Sequence, residues 1–423
     1  MRAAVRAALA FVLVDPASVA TPADAAKSKK AAAPGWQLEP FGIKNAAAGF
    51  ELKLQGYLQA DFRSFHDWQV GDGSDDSLRA PEFEWRRARF GVDGEWRRLT
   101  LEFRADPVYA EGDWLKDAWL GFRFAREVRA RGGHVKVPVS PEWLTSPSKT
   151  DFVERAAVVS SLAPGRDWGG LLEGKLGHAA EYSAGVFEGD DRTSHRRAGT
   201  TVGGRLVLKP GSVLDLGGSF AVGEVTADPL GSAIDTHPKG LDGTSGSGYR
   251  FFPGVYVNGR RLRWGADFRL QGGPVALWGE YLEAREERKG QGPSLEDLPE
   301  VVGRGWSATA TWLVTGERKK RTIKPRRGLF DGPGAIELAA RYEELRFDDV
   351  SNQGFEGAGG RSNNIRPAGL KTFTGGLSWW PTVFLRFVGN VLVERYDDAL
   401  RAPQPARKGN YVSLVGRAQV HLP

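Results

Sequence analysis

From residue 50 the chain alternates in polarity. Phe50, Leu52, Leu54, Gly56, Leu58, Ala60 and Phe62 fall on one face, and Glu51, Lys53, Gln55, Tyr57, Gln59, Asp61 and Arg63 on the other. Successive strand residues point to opposite faces, so this stretch predicts an amphipathic β-strand. The chain closes the same way: Val412, Leu414, Gly416, Ala418, Val420 and Leu422 alternate with Tyr411, Ser413, Val415, Arg417, Gln419 and His421. Between these two lie alternating segments near 83–96, 98–106, 114–124, 127–137, 166–176, 179–187, 200–209, 212–222, 260–270, 274–285, 303–315, 334–346, 370–380 and 383–395, which brings the expected number of strands to sixteen.

The connections sort by parity. Those after the second, fourth, sixth, eighth, tenth and fourteenth strands are tight, as at Gly177-His178, Pro210-Gly211 and Gly272-Gly273. The odd-numbered ones are generally long and polar, including 64–82, 138–165, 223–259, 286–302, 347–369 and 396–409. Only the twelfth, 316–333, departs from the rule, being long and basic; it reads as a solvated, charge-rich connection. Long loops at one end, short turns at the other and an even strand count predict a transmembrane antiparallel β-barrel of about 16 strands, with long extracellular loops and short periplasmic turns. A soluble β-sandwich would share the alternation but not the two-sided sorting of loop lengths.

The polar face carries Arg87, Arg89, Arg104, Arg123, Arg129, Arg131, Arg205, Arg261, Arg263, Arg269, Arg341, Arg386 and Arg417 beside Glu51, Asp61, Asp93, Glu102, Asp106, Asp117, Asp267 and Glu337. A dry interior would make each of these ions cost several kcal/mol. A water-filled lumen removes that cost, so the charged face is expected to line a pore and the apolar face to meet lipid.

Ahead of the strands, residues 1–20 read as a signal peptide. Arg2 and Arg6 supply the charged start, Ala7 to Val14 the apolar run, and Ser18-Val19-Ala20 the small residues before a cut. Residues 21–49 are expected to be a periplasmic tether and 50–423 the barrel. Composition agrees. The 423 residues include 55 Gly, 14 Trp and no Cys, which excludes disulfides and thiolate metal sites. No apolar run reaches the roughly 18–20 residues of a membrane-spanning helix. Trp85, Trp96, Trp114, Trp119, Trp264, Trp278, Trp306, Trp312, Trp379 and Trp380 lie at or near strand ends, as aromatic girdles require; a carbohydrate platform would gather them on one face. Asp72, Asp75 and Asp76 lack EF-hand spacing, and the six histidines lack metal-ligand spacing. No catalytic motif, cofactor motif or nucleic-acid module stands out, so a non-enzymatic role without cofactors is expected.

The run Phe83-Glu84-Trp85-Arg86-Arg87-Ala88-Arg89-Phe90-Gly91-Val92-Asp93-Gly94 is followed by Leu115-Lys116-Asp117-Ala118-Trp119-Leu120-Gly121 and by Gly133-His134-Val135-Lys136-Val137-Pro138. Then come Val153-Glu154-Arg155, Pro164-Gly165-Arg166-Asp167-Trp168-Gly169, Glu337-Leu338-Ala339-Ala340-Arg341-Tyr342 and Gly375-Gly376-Leu377-Ser378-Trp379-Trp380. In number and order these segments resemble the phosphate-selective porin O and P family of bacterial outer-membrane channels, over about residues 50 to 423. Gly185-Val186-Phe187-Glu188-Gly189 departs from the family at Glu188, where Asn is usual.

The resemblance implies passive diffusion of small anions such as phosphate, a homotrimer seated in outer-membrane lipid, and a third long loop folded into the lumen. That loop would make Lys136, Lys149, Arg155 and Arg166 constriction residues; the alternative is an ordinary exterior loop. Arginine suits phosphate because its planar fork bonds two oxygens at once and stays charged. Arg87 with Arg89, Arg129 with Arg131, and Arg261 with Arg263 are two apart, so each pair faces the lumen and offers successive weak sites; Arg104 and Arg123 join them. Pairing with the nearby carboxylates is the alternative use of these arginines, and about half are expected to serve it. A weakly selective porin and a plugged adhesive barrel are the competing readings of the whole.

Overall fold

The computed structural model describes residues 35–66, 82–109, 114–189, 199–226, 240–292, 294–354, 365–403 and 409–422. The expected signal segment, and Asp72, Asp75 and Asp76, lie outside these residues. Sixteen barrel strands follow in chain order: β1 Phe50–His66, β2 Glu82–Trp96, β3 Leu99–Ala105, β4 Leu115–Ala125, β5 Val128–Lys136, β6 Arg166–Leu176, β7 Ala180–Phe187 and β8 Thr201–Leu208. The second half comprises β9 Leu214–Val225, β10 Gly259–Gly272, β11 Val275–Arg288, β12 Leu298–Leu313, β13 Ala335–Asp349, β14 Ala368–Trp380, β15 Leu385–Tyr396 and β16 Tyr411–His421. Each pairs antiparallel with the next. β16 returns to β1, from Val412 opposite His66 to His421 opposite Tyr57, so the sheet is closed. Closure gives the wall's backbone groups partners, which is what allows a sheet to cross lipid.

The two-sided sorting of connections holds. At the tight end β2 turns into β3 through Arg97, which takes φ 53, and β10 into β11 through Gly273, at φ 56. Residues 37–45, expected within a tether, instead form a hairpin. Gln37–Glu39 pairs with Gly42–Asn45, which in turn pairs with residues 50–53 of β1. The C-terminal strand stops opposite Tyr57 and leaves that part of the β1 edge open. The hairpin covers it, as an exposed strand edge invites unwanted pairing.

Apolar residues face outward as the alternation predicts; Leu54, Leu58, Leu206, Phe220, Leu277, Leu338, Val391 and Leu414 are all exposed on the wall. The interior differs from the expected open lumen. At the long-loop end, residues of 137–163 and 241–257 pack an apolar core against the inner wall. Val158, Val159, Leu162, Phe251, Phe252 and Val257 meet Ala284, Val301, Leu345 and Phe347 there, all essentially buried. Phe252 stacks on Phe347 with ring centroids 4.4 Å apart. In this sector β11 to β13 turn apolar residues inward, Leu282, Ala284, Val301, Leu345 and Phe347, where they meet folded chain and not water.

Close strand approach fixes one glycine. Gly133 in β5 has φ +138, and a Cβ there would lie 2.1 Å from the Ala118 carbonyl oxygen. Its neighbour Gly132 would meet nothing nearer than 3.8 Å. Gly133→Ala is expected to cost about 1–3 kcal/mol of backbone strain before the clash is counted, and to lower the fraction of folded barrel seen by heat-dependent electrophoretic mobility. Gly132→Ala should refold as the parent does.

Candidate functional site

Loop 137–165 folds into the barrel, and its entry is set by a helical elbow. Ser140, at φ 66, caps the short helix Pro141–Leu144, its hydroxyl accepting from the Trp143 N–H. The C-terminal carbonyls of that helix are held by two cations. Lys136 Nζ donates to the oxygens of Trp143, Leu144 and Thr145 at 2.6, 3.2 and 3.3 Å. Arg155 donates to those of Glu142 and Thr145 at 3.1 and 2.7 Å, and lies over the Trp143 ring. Positive charge at a helix C-terminus is favourable.

Beyond the elbow, residues 146–156 cross the lumen without a sheet partner, and side chains of the wall satisfy their backbone. Gln59 donates to the Pro147 oxygen and Gln419 to that of Ser148. Arg386 donates to the oxygens of Thr150 and Asp151 at 2.7 and 3.1 Å. Arg417 donates to the Val153 oxygen at 2.6 Å, Asn390 accepts from the Val153 N–H, and Arg341 donates to the Glu154 oxygen. The Glu154 carboxylate sits among Arg63 at 2.8 Å, Arg86 at 3.1 Å, Arg417 at 3.6 Å and Arg87 at 3.9 Å. Burial alone would raise its pKa, but these arginines outweigh burial and hold it well below the ordinary carboxylate value.

Each of the eleven residues expected to bind anions has an acceptor within the protein. Arg87 bonds Gln59, and Arg89 pairs with Asp106 at 3.3 Å. Arg104 pairs with Asp93 at 2.6 Å and Arg123 with Glu95 at 2.8 Å. Arg129 and Arg131 share Glu173 and both lie over Trp119. Arg166 grips Asp117 through two bonds of 3.1 and 3.0 Å. Arg261 and Arg263 share Glu286, and Arg263 also holds the Leu162 carbonyl. Lys136 and Arg155 serve the elbow. The sequence suggested that about half would be engaged in this way.

The basic connection between β12 and β13 also departs from expectation, since part of it is buried. Lys319 Nζ contacts Asp151 of the crossing loop at 2.7 Å and Glu337 of β13, while Ile323 packs with Leu313 and Ala335. A connection from the short-turn end thus meets a loop from the other end. The side chains of its next two residues, Lys320 and Arg321, have no hydrogen bond or ion pair among the described residues, and neither have those of Lys149 and Arg269. Burial lowers the Lys149 ammonium pKa below its ordinary value; Arg321 and Arg104 lower it further, and Asp93 opposes them.

These cations border two cavities of about 500 Å³ each. One lies toward the short turns, lined by eleven basic and seven acidic residues. The other is lined by seven basic and three acidic residues. Both have Leu144, Thr145, Lys149 and Arg321 in their walls. Lys149 was among the expected constriction residues; Lys320 and Arg321 were not, although the twelfth connection breaks the loop-length rule at that place. Three tryptophans assigned to girdles face inward: Trp119 beneath Arg129 and Arg131, Trp278 bonded to Asp151, and Trp380 beneath Arg386.

The family model for phosphate-selective porin O and P matches residues 52–422. Among solved structures, an anion-selective porin from Comamonas acidovorans is similar at 12% identity and TM-score 0.55, covering 88% of this chain and 100% of that one. OmpT of Vibrio cholerae in its trimer form has 10% identity and TM-score 0.53, covering 88% and 100%. Salmonella typhi OmpF in complex with daunomycin has 13% identity and TM-score 0.54, covering 90% and 100%. None of the curated proteins compared with the chain matches it.

Arg417 joins the crossing loop to the wall, since it also grips Asp61 through two bonds of 2.7 Å. Arg417→Met would leave Asp61 buried without its main partner, a loss of about 3–5 kcal/mol. Thermal unfolding in detergent should show it, with faster proteolytic cutting within 146–156. Adding Asp61→Asn should recover part of the lost stability.

Proposed function

The chain belongs to the phosphate-selective porin O and P family, outer-membrane β-barrel channels and not enzymes, and from that premise we propose that it passes small anions, phosphate foremost. The observation that carries the reading is a group of cations whose side chains have no hydrogen bond or ion pair among the described residues: Lys149 and Arg321 border both cavities, Arg269 and Lys320 the first. Selectivity in a pore depends on charge exposed to the passing ion at a narrow place. An arginine whose donors already bond a carboxylate adds less to that field than one facing water. Weak sites in succession also release the ion, as conduction requires. Burial is the main cause of the lowered Lys149 pKa, and Arg321 and Arg104 add to it against Asp93; cations grouped in this way favour an oxyanion.

A weakly selective general porin is the second reading, favoured by the pairing of all eleven wall and elbow cations. Reversal potentials under a KCl gradient distinguish the two, and phosphate block of chloride current tests for phosphate itself. Neutral or cation-selective current would remove the anion assignment. No current at all would favour a plugged barrel, for which the apolar filling of the long-loop end is the support. Lys149→Glu with Arg321→Glu is expected to reduce the anion-to-cation permeability ratio by about tenfold, the equivalent of about 1.4 kcal/mol. Arg87→Ala with Arg89→Ala should change the ratio less, because those two already have partners. Anion preference should also weaken as pH rises, beginning below the ordinary lysine range, because the Lys149 pKa is lowered and its charge is lost earlier.

A homotrimer is part of this reading, supported by the likeness of fold to the Vibrio cholerae porin described in trimer form. Light scattering in detergent should give a protein mass about three times that of one mature chain, close to three times 46.1 kDa less any segment removed; a single-chain mass would count against it.

A further inference from the structure

Outside the lumen, β10 to β15 share an ordered outer face. Running toward the long loops, the outward residues of each strand are apolar until an aromatic row, Trp264, Tyr281, Trp306, Tyr342 and Phe373 on β10 to β14. Trp264 meets Tyr281 and Trp306 meets Tyr342, at centroid distances of 5.1 and 5.5 Å. Amphipathic rings favour the head-group level of a membrane, so this row marks the edge of the hydrocarbon.

Beyond it the outward positions turn basic on four consecutive strands, at Arg304, Arg346, Lys371 and Arg395, with Glu344 standing between Tyr342 and Arg346 on β13. Two pairs stand directly opposite across the strands, Arg304 with Arg346 and Lys371 with Arg395. Like charges so placed repel. The first pair is relieved by Asn352, which accepts from Arg304 at 2.6 Å, and by Asp348, 3.1 Å from Arg346. The second has no such relief: Lys371 and Arg395 are exposed and have no hydrogen bond or ion pair among the described residues. Glu344, opposite Lys371 in register, instead accepts from the Tyr342 hydroxyl at 2.7 Å. Asp397 lies two residues beyond Arg395 and is likewise exposed. The feature belongs to one sector, since the long-loop ends of β2, β6, β7 and β8 present Phe83, Trp168, Val186 and Val202 to the outside.

From this juxtaposition we infer that Lys371 and Arg395, flanked by Arg304 and Arg346, bind the phosphate groups of acylated glycolipid in the outer leaflet. The aromatic row places the acyl chains beside the wall, and the basic row then lies at the depth of the head-group phosphates. A phosphate between Lys371 and Arg395 turns their repulsion into two charge-assisted bonds. Basic clusters just beyond the hydrocarbon edge recognise anionic head groups by the same physics.

The test uses the full barrel in detergent, with bis-phosphorylated lipid A and its dephosphorylated counterpart as probes and native mass spectrometry as the readout. The parent should retain the phosphorylated lipid and not the dephosphorylated one. Lys371→Gln with Arg395→Gln should weaken retention by about tenfold or more, from the worth of two basic residues at a membrane surface. Reversal potentials should stay at the parent value, because both residues face away from the lumen; this separates failure here from failure of the anion-channel reading. Lys371→Arg with Arg395→Lys keeps the charge and should keep the lipid. Equal retention of the two lipids by the parent would overturn the inference whether or not the variants fold. So would unchanged retention in the glutamine variant, or displacement of the lipid by inorganic phosphate alone.

Discussion

A peptide segment that crosses the inside of a barrel away from any sheet must find a partner for its carbonyls, and most of this architecture answers that demand. Apart from one 3-10 turn at Pro147–Lys149, residues 146–156 have neither helix nor ladder to supply those bonds. Buried backbone groups left unpaired cost about as much as a lost hydrogen bond each. The wall supplies donors where they are needed: Gln59 from β1, Arg341 from β13, Arg386 from β15, and Arg417 and Gln419 from β16. Arginine is suited to this use because its five donors can hold a carbonyl and a carboxylate together. Arg417 does so, joining the Val153 oxygen to Asp61.

Charge in the lumen therefore serves two ends. The Glu154 carboxylate gathers four arginines from β1, β2 and β16 around one point of the crossing loop. Glu286 and Glu173 each hold two more. From the other mouth, Lys319 reaches Asp151 of the same loop. The two intrusions meet, and each narrows the space left to the other. Apolar packing at the long-loop end fixes the remaining half of the loop, whose second helix, Ala157–Leu162, is nearly all buried.

The strands were legible because a wall between lipid and a charged interior imposes a strict period of two on every segment that crosses it. Loop lengths gave the orientation for a similar reason, tight turns needing only a few special residues such as Gly273. Alternation says which residues face inward, but not what they meet there. Arg341 and Arg386 read as lumen charges and prove to be loop anchors; Trp119 and Trp278 read as girdle and prove to support inward-facing groups. Phe347 is inward and apolar, but alternation does not show that Phe251 and Phe252, from a distant loop, pack against it. The tether was misjudged over 37–45 because a short hairpin carries little periodicity, and its stability comes from the open edge of β1.

Anchoring cations and free cations constrain change in such a channel differently. A wall arginine that holds a carbonyl and a buried carboxylate cannot be replaced without leaving a charge or a carbonyl unpaired, so the wall resists substitution for reasons of stability. Lys320 and Arg321 lie on a connection, are exposed, and hold no other group in place. Their charge can be altered with little effect on the barrel, while acting directly on whatever passes. On the proposed reading, selectivity depends mainly on loop residues borne by a rigid scaffold, with Arg269 of the wall beside them. Two barrels with the same ladder of inward arginines could then differ in the ions they prefer, because the ladder holds the structure while a few loop side chains border the open space.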